Sequence, residues 1–350
     1  MTARQLMSLC LAVVVCCAGI SCSSDSTGST VYTGATQIHG AGATFPAPLY
    51  KKWMEEYQKR NPKTVVSYDV VGSGEGVKRF IAGTVDFGAS DAAMSDEQMS
   101  EVGRGVQLIP ATAGILVLAY NLDGIGGDLK LKRDVYVDIF LGKIKKWNDP
   151  RIQAANPHLH LPGDDIVIVT RQDESGTTYA FTNHLSAISE EWRDRGPGTG
   201  TLINWPGNVM RASGNEGVAG RIKISQGAIG YVEYGFAERT GLAMAWLENK
   251  EGQFIQPSGG SGLLTLMNIP MPDNLRIFVP DPEGKDSYPI VTYSWLLLYK
   301  KYDDPQKVSA LKQYLKWNLT VGQEFSESLG YIRLPPQVVT RANDVLDKIQ

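Results

Sequence analysis

The sequence predicts an α/β protein of two lobes, and three observations carry that prediction. The chain has 350 residues; removal of a leader leaves roughly 330, long for one hydrophobic core and suited to two. Short β-branched apolar runs lead into segments of helical period, and the turns between them are rich in glycine, serine and threonine. Two strongly apolar strands, at 115–120 and 290–298, are far apart in the chain, and crossings between lobes are placed near them.

Arg4 and the apolar run from Leu6 to Ile20 have the charge and length of a secretory leader and are short for a membrane span. All four cysteines, Cys10, Cys16, Cys17 and Cys22, lie in this leader, so the mature chain has no disulfide framework. Gly19 and Ser21 flank Ile20 ahead of Cys22, and a polar tether (SSDSTGST, 23–30) follows. This pattern resembles a bacterial lipoprotein processing site, with Gly19 where a leucine is usual. The expectation is a leader over 1–22, lipidation of Cys22 and a tether over 23–37.

Residues 39–48 (HGAGATFPAP) form a small-residue turn that opens a helix, with Pro46 and Pro48 where a missing N–H costs nothing. Leu49, Trp53 and Tyr57 give that helix one apolar face. Thr44 is its N-cap candidate, and its hydroxyl and neighbouring N–H groups can face a ligand. Residues 70–77 (VVGSGEGV) run from a strand into a second helix through glycines that allow close backbone approach. Residues 85–91 (VDFGASD) end a strand on an acid, Asp91, which also reads as an N-cap before Ala92, Ala93 and Met94.

A strand over 166–169 leads into TRQDESGTT (170–178), where Ser175 is a good N-cap for a helix continued by Tyr179, Phe181 and Leu185. Arg171 supplies a planar fork that matches two oxygens at once, and Asp173 can brace it. The stretch 256–262 (QPSGGSG) reads as a loop, and helices over 305–319 and 336–349 close the chain. Free N–H groups at helix starts favour an anion. Three such mouths, one guanidinium and one carboxylate suggest a single oxyanion that carries a proton.

Other chemistry fits less well. Net charge is −3 and no basic stripe offsets it, which argues against nucleic acid. Lys143, Lys145 and Lys146 form the only dense cationic cluster; most such clusters are solvated, though this one could gather anions or touch a partner. Ser175 lacks the glycine two residues before it that a nucleophile elbow needs, and His39, His158, His160 and His184 supply no evident base. His158 and His160 have no third ligand at a fixed spacing. No nucleotide-binding P-loop occurs, so nucleotide hydrolysis would belong to a partner.

The chain resembles the phosphate-binding protein of Pst-type phosphate ABC transporters, from about Gly40 to the C-terminus. The resemblance rests on GAGATFPAPLY (40–50), GTVDFGASD (83–91), LGKIKKWN (141–148), SGT (175–177) and GAIGYVEY (227–234), in family order. It implies a type II periplasmic-binding-protein fold, each lobe a mixed sheet flanked by helices, with the ligand in the interlobe cleft. Lobe I would hold 38–115 and 292–350, and lobe II 116–291. Carried over by position, the phosphate contacts fall on Thr44, Phe45, Ser73, Asp91, Arg171, Ser175, Gly176 and Thr177, with Asp173 as the acid that pairs with the arginine. One departure is Glu75, where some members of the family keep only small residues; its charge is expected to face solvent and favour the helix start, as is that of Glu174.

The resemblance further implies inorganic phosphate as ligand, permease subunits of a phosphate ABC transporter as partners, and a location in the periplasm or at the cell surface, lipid-anchored through Cys22. No enzyme activity, cofactor or metal is expected, and the protein is expected to act as a monomer. Asp91 would accept the proton of phosphate and so exclude sulfate, which has none to give. An exported phosphatase on the same scaffold, or a surface receptor that binds phosphate for signalling or adhesion, would use the same cleft.

Overall fold

The computed structural model describes residues 34–267 and 269–350. The expected leader, Cys22 and the tether as far as residue 33 lie outside the described residues.

The strands are β1 (Thr36–Gly42), β2 (Thr64–Val70), β3 (Phe87–Ser90), β4 (Val106–Asn121), β5 (Lys130–Leu131), β6 (Val167–Arg171), β7 (Met210–Ala212), β8 (Ala228–Glu233), β9 (Ala243–Met244), β10 (Trp246–Glu248), β11 (Phe254–Ile255) and β12 (Val291–Tyr299). The α-helices are α1 (Ala47–Arg60), α2 (Ser73–Ile81), α3 (Asp96–Ser100), α4 (Arg133–Phe140), α5 (Pro150–Ala155), α6 (Gly176–Ile188), α7 (Gly214–Ile224), α8 (Tyr234–Thr240), α9 (Gly259–Met267), α10 (Pro305–Leu319) and α11 (Pro336–Asp347). A mixed sheet runs in the order β2-β1-β3-β12-β4-β8-β6-β7, with β9 also paired to β4; β11-β10-β5 form a small second sheet.

The strand β4 organises this sheet. Its 16 residues are buried except at Gln107 and Asn121, as expected of an apolar run covered on both faces. Its first part pairs antiparallel with β12, ending at Ile115 opposite Val291. Its second part pairs antiparallel with β8, beginning at Leu116 opposite Glu233. One strand thus changes neighbours within a single residue step.

On one side of that step, β1 pairs in parallel with β2 and β3, and β12 pairs antiparallel with β3. On the other, β6 pairs in parallel with β8 and β7. Parallel neighbours need helical crossovers, which is why α1, α2, α6 and α7 each follow a strand directly and start at the same ends of the strands. The closing helix α10 returns to α1, where Tyr314 meets Tyr57 edge to face at 5.1 Å. Two fully buried tryptophans have their N–H groups satisfied: Trp53 donates to the Gly322 carbonyl at 2.7 Å, and Trp147 to that of Gly227 at 2.9 Å.

Several local expectations change. The strand expected at 115–120 is the end of one that starts at Val106. The glycine-rich stretch 256–262 is a loop only in part, since α9 begins at Gly259. There the Ser258 hydroxyl accepts from the Ser261 N–H at 3.0 Å, and a Cβ on Gly262 would stand 2.5 Å from Ile332. A cap and a close helix approach therefore outweigh glycine's weak propensity. Asp91 does not cap a helix: the next one, α3, is capped by Ser95 with Gln98 in a capping box. Thr44 does not cap α1, whose preceding residue is Pro46, with no side-chain cap.

Candidate functional site

Four strand-to-helix turns and one strand end converge where β1, β2, β3, β6 and β7 finish, the usual ligand end of an open α/β sheet. The first turn leaves β1 at Gly42, where a Cβ would lie 2.0 Å from the Ala89 carbonyl oxygen. Thr44 and Phe45 follow and are buried. The Tyr331 hydroxyl donates to the Phe45 carbonyl at 2.6 Å, so the C-terminal part of the chain holds this turn in place.

The second turn pivots on Gly72, which has a positive φ of 95°. Ser73 then opens α2, and its hydroxyl accepts from the Asp91 N–H at 3.2 Å. The third element, β3, delivers Asp91 at 1% exposure. Its Oδ1 accepts from the Ser294 hydroxyl at 2.8 Å, and Thr177 Oγ1 donates weakly to its Oδ2 at 3.5 Å. Burial pushes its carboxyl up to about 7, against the opposing effects of the Ser294 hydrogen bond, the Arg171 charge and the Thr177 hydroxyl.

The third turn, from β6 to α6, carries Arg171 through Thr177. Arg171 Nε donates to Asp173 Oδ1 at 2.9 Å, its Nη2 pairs with Asp173 Oδ2, and its Nη1 reaches Thr177 Oγ1 at 3.4 Å. Burial alone would raise the Asp173 carboxyl, but its hydrogen bond to Arg171, the charge of Arg171 and the Gly214 N–H hold it below its usual value. Ser175 caps α6 as expected, its hydroxyl accepting from the Thr178 N–H at 3.1 Å. A Cβ on Gly176 would lie 2.6 Å from Ser73 Oγ and 2.7 Å from Asp91 Cβ. Only glycine lets these walls meet.

The structure therefore brings Thr44, Phe45, Ser73, Asp91, Arg171, Ser175, Gly176 and Thr177 to one place, with Asp173 behind Arg171. The backbone N–H groups of Thr44, Phe45, Ser73, Gly176 and Thr177 donate to no acceptor among the described residues. Clustered N–H groups beside a guanidinium are suited to an oxyanion, and a carboxylate among them can accept a hydrogen from one that carries a proton. The Lys78–Glu174 ion pair at 2.8 Å and the Gly74 N–H to the Glu174 carbonyl at 3.0 Å tie α2 to the arginine turn. Glu75 pairs with Arg79 in the first turns of α2 and stays half exposed.

Two residues at the site escaped the sequence reading. Ser294 is a hydroxyl inside an apolar strand, and that oddity was its signal. Asn215, in the fourth strand-to-helix turn (β7 to α7), is fully buried and donates through Nδ2 to Thr44 Oγ1 at 3.0 Å and to Thr177 Oγ1 at 3.1 Å. Its signal was Ser213-Gly214 ahead of it, a turn of the same kind as the other three, but the strand before it has only three residues.

The histidines and lysines lie elsewhere. His184 is buried on α6 between the Tyr136 hydroxyl at 2.8 Å and the Pro280 carbonyl at 2.6 Å, and burial pushes it down to about 4. His158 pairs with Asp128 at the surface. Lys143 and Lys146 are taken up by Glu191 and Asp165 respectively. Among the described residues no group of three or more His, Cys, Asp or Glu stands ready to hold a metal ion, and no helix is long and apolar enough to cross a membrane.

The fold and cleft define a solute-binding protein of the PBP class, and a family model described as a PBP superfamily domain matches residues 27–320. The chain is 40% identical over 312 residues to the phosphate-binding protein PstS of Pasteurella multocida, covering 88% of this chain and 89% of that one. It is 39% identical over 318 residues to the PstS of Haemophilus influenzae, covering 89% and 93%. The chain belongs to the PstS family of phosphate-binding proteins. Among solved structures it is similar to a high affinity periplasmic phosphate-binding protein, PfluDING, bound with phosphate (TM-score 0.74, 18% identity, 88% and 93% covered). It is also similar to a phosphate-binding protein from Stenotrophomonas maltophilia (TM-score 0.72, 19% identity, 89% and 94% covered). At those identities the likeness shows the fold.

Proposed function

We propose that this protein binds inorganic phosphate between Asp91 and the Arg171 turn, outside the cytoplasmic membrane, and delivers it to the permease subunits of a phosphate ABC transporter. The observation that carries the reading is the placement of a buried carboxylate opposite a buried guanidinium, ringed by N–H groups from three chain turns. The relatives in Pasteurella multocida, Haemophilus influenzae and Xylella fastidiosa are phosphate-binding proteins, which supports the same ligand and a role in binding without chemistry. Thr44, Phe45, Ser73 and Asp91 contact the anion from one side, and Arg171, Ser175, Gly176 and Thr177 from the other.

Asp91 supplies the selectivity. Phosphate carries a proton at neutral pH and shares it with the carboxylate, whereas sulfate sets two acceptors against each other in a dry site. A site that expects a donated hydrogen rejects an isostere lacking it by about 10⁴-fold or more. The lobes meet along β4: 38–115 with 292–350 form one and 116–291 the other, a division supported by the change of neighbours between Ile115 and Leu116. Neither lobe alone surrounds the anion, so binding closes the cleft. A lipid on Cys22 anchors a monomer to the membrane.

Calorimetric titration of the leaderless protein, stripped of carried-over ligand, tests this. The expected result is tight one-to-one binding of phosphate without sulfate heat; silence toward phosphate rejects the reading.

A further inference from the structure

Asn215 determines what the two threonine hydroxyls of the site can do. Its amide orientation is set by the backbone: Oδ1 accepts from the Glu233 N–H at 3.0 Å, and a backbone N–H can only donate. Nδ2 is therefore the side that faces Thr44 and Thr177, and both hydroxyl oxygens are acceptors toward it. Thr44 Oγ1 also accepts from the Asn215 backbone N–H at 3.2 Å, and Thr177 Oγ1 also accepts from Arg171 Nη1 at 3.4 Å. A hydroxyl has two lone pairs and one proton. With both lone pairs engaged, each threonine can act only as a donor: the Thr44 proton is left to give, and the Thr177 proton, which lies weakly toward Asp91 Oδ2 at 3.5 Å, can turn to a bound anion.

Resting on the phosphate reading above, we propose that Asn215 is a positioning residue that fixes the Thr44 and Thr177 hydroxyls as donors toward the bound anion and so sets the hydrogen-bond polarity of the site. Neither threonine oxygen can then accept the proton of the anion, which leaves the Asp91 carboxylate as the charged acceptor for it. Residue Asn215 reaches both walls: Thr44 follows β1, Thr177 opens α6, and Glu233 ends β8 at the point where β4 changes neighbours. The same amide thus links the orientation of the hydroxyls to the meeting of the walls.

A double-mutant cycle read by phosphate calorimetry tests the proposal. Asn215→Ala is expected to weaken phosphate binding about 100-fold, tenfold for each hydroxyl no longer held as a donor. In a Thr44→Val, Thr177→Val background, where no hydroxyl remains to be oriented, the same change is expected to cost less than about threefold. An equal loss in both backgrounds overturns the proposal, because Asn215 would then act by packing alone. The near-isosteric Asn215→Asp change covers the case in which the alanine variant does not fold. Its carboxylate accepts from both threonines and turns their protons away, so it should bind phosphate at least as weakly as Asn215→Ala in the wild-type background, and wild-type affinity overturns the proposal. Wild-type protein that ignores phosphate rejects the ligand reading itself, whatever the variants do.

Discussion

Asp91 and Asp173 are two partly or wholly buried carboxylates that share one neighbour, Arg171, and the cleft treats them in opposite ways. Asp173 grips the guanidinium through both oxygens and takes the Gly214 N–H as well, so its charge is stabilised and its carboxyl held low. Asp91 has hydroxyls for partners and no cation within bonding distance, so burial dominates and its carboxyl rises to about 7. One arginine thus stands between a carboxylate that aims its fork and a carboxylate that burial makes readier to take a hydrogen, the arrangement that the proposed phosphate site calls for.

Removing the shared neighbour breaks the comparison most severely. Arg171→Met should cost about 4 kcal/mol of phosphate binding, roughly a thousandfold, and should lower the melting temperature too, because it leaves Asp173 buried without its cation. Calorimetry and thermal melts of the same variant measure both effects.

Proton linkage separates the two carboxylates next. Asp91 and Glu233, the latter pushed up to about 8 by burial, bind protons more tightly folded than unfolded. Their stabilising effect is complete below the ordinary carboxylate range near pH 4 and is lost as pH rises through about 7 to 8. Asp173 behaves oppositely, stabilising the fold above its ordinary value and losing that effect as pH falls through its lowered one. Melts of the ligand-free protein should therefore show stability falling from pH 5 to pH 9, and Asp91→Asn should remove roughly 3 kcal/mol of that slope. A variant with the wild-type slope would show that Asp91 is not the group responsible.

Asp173→Asn should have the smallest effect. The amide keeps the shape of the brace but loses its charge, so phosphate affinity should change by about tenfold in titration, with the preference over sulfate preserved. A collapse of that preference would place the proton acceptor at Asp173 instead.

What the sequence made legible was local. Ser175 followed by glycine and a helical period revealed a capped helix start, and Arg171 with Asp173 two residues on revealed a braced fork. Asp91 at the end of a strand revealed an acid at the ligand end of a sheet. What it concealed was distant: Ser294 meets Asp91 across 203 positions, and Asn215 meets Thr44 across 171. Such pairs come from strand order, which no local pattern encodes. Thr44 shows both sides, since its turn was legible but its partner was not; a hydroxyl read as a helix cap instead accepts from Asn215. The α9 helix was hidden for another reason, as glycine-rich composition outvoted a serine cap and the apolar run Leu263 to Met267 that follows.

In the proposed site Asp91 accepts a proton which phosphate has and sulfate lacks. The most direct test is competitive titration of phosphate and sulfate at pH 8 in the wild-type protein and in Asp91→Asn, whose amide can donate to either anion. Sulfate exclusion of about 10⁴-fold or more is expected in the wild type, with a loss of at least about a hundredfold of that preference in the variant. An Asp91→Asn protein that prefers phosphate as strongly as the wild type would contradict that role of Asp91.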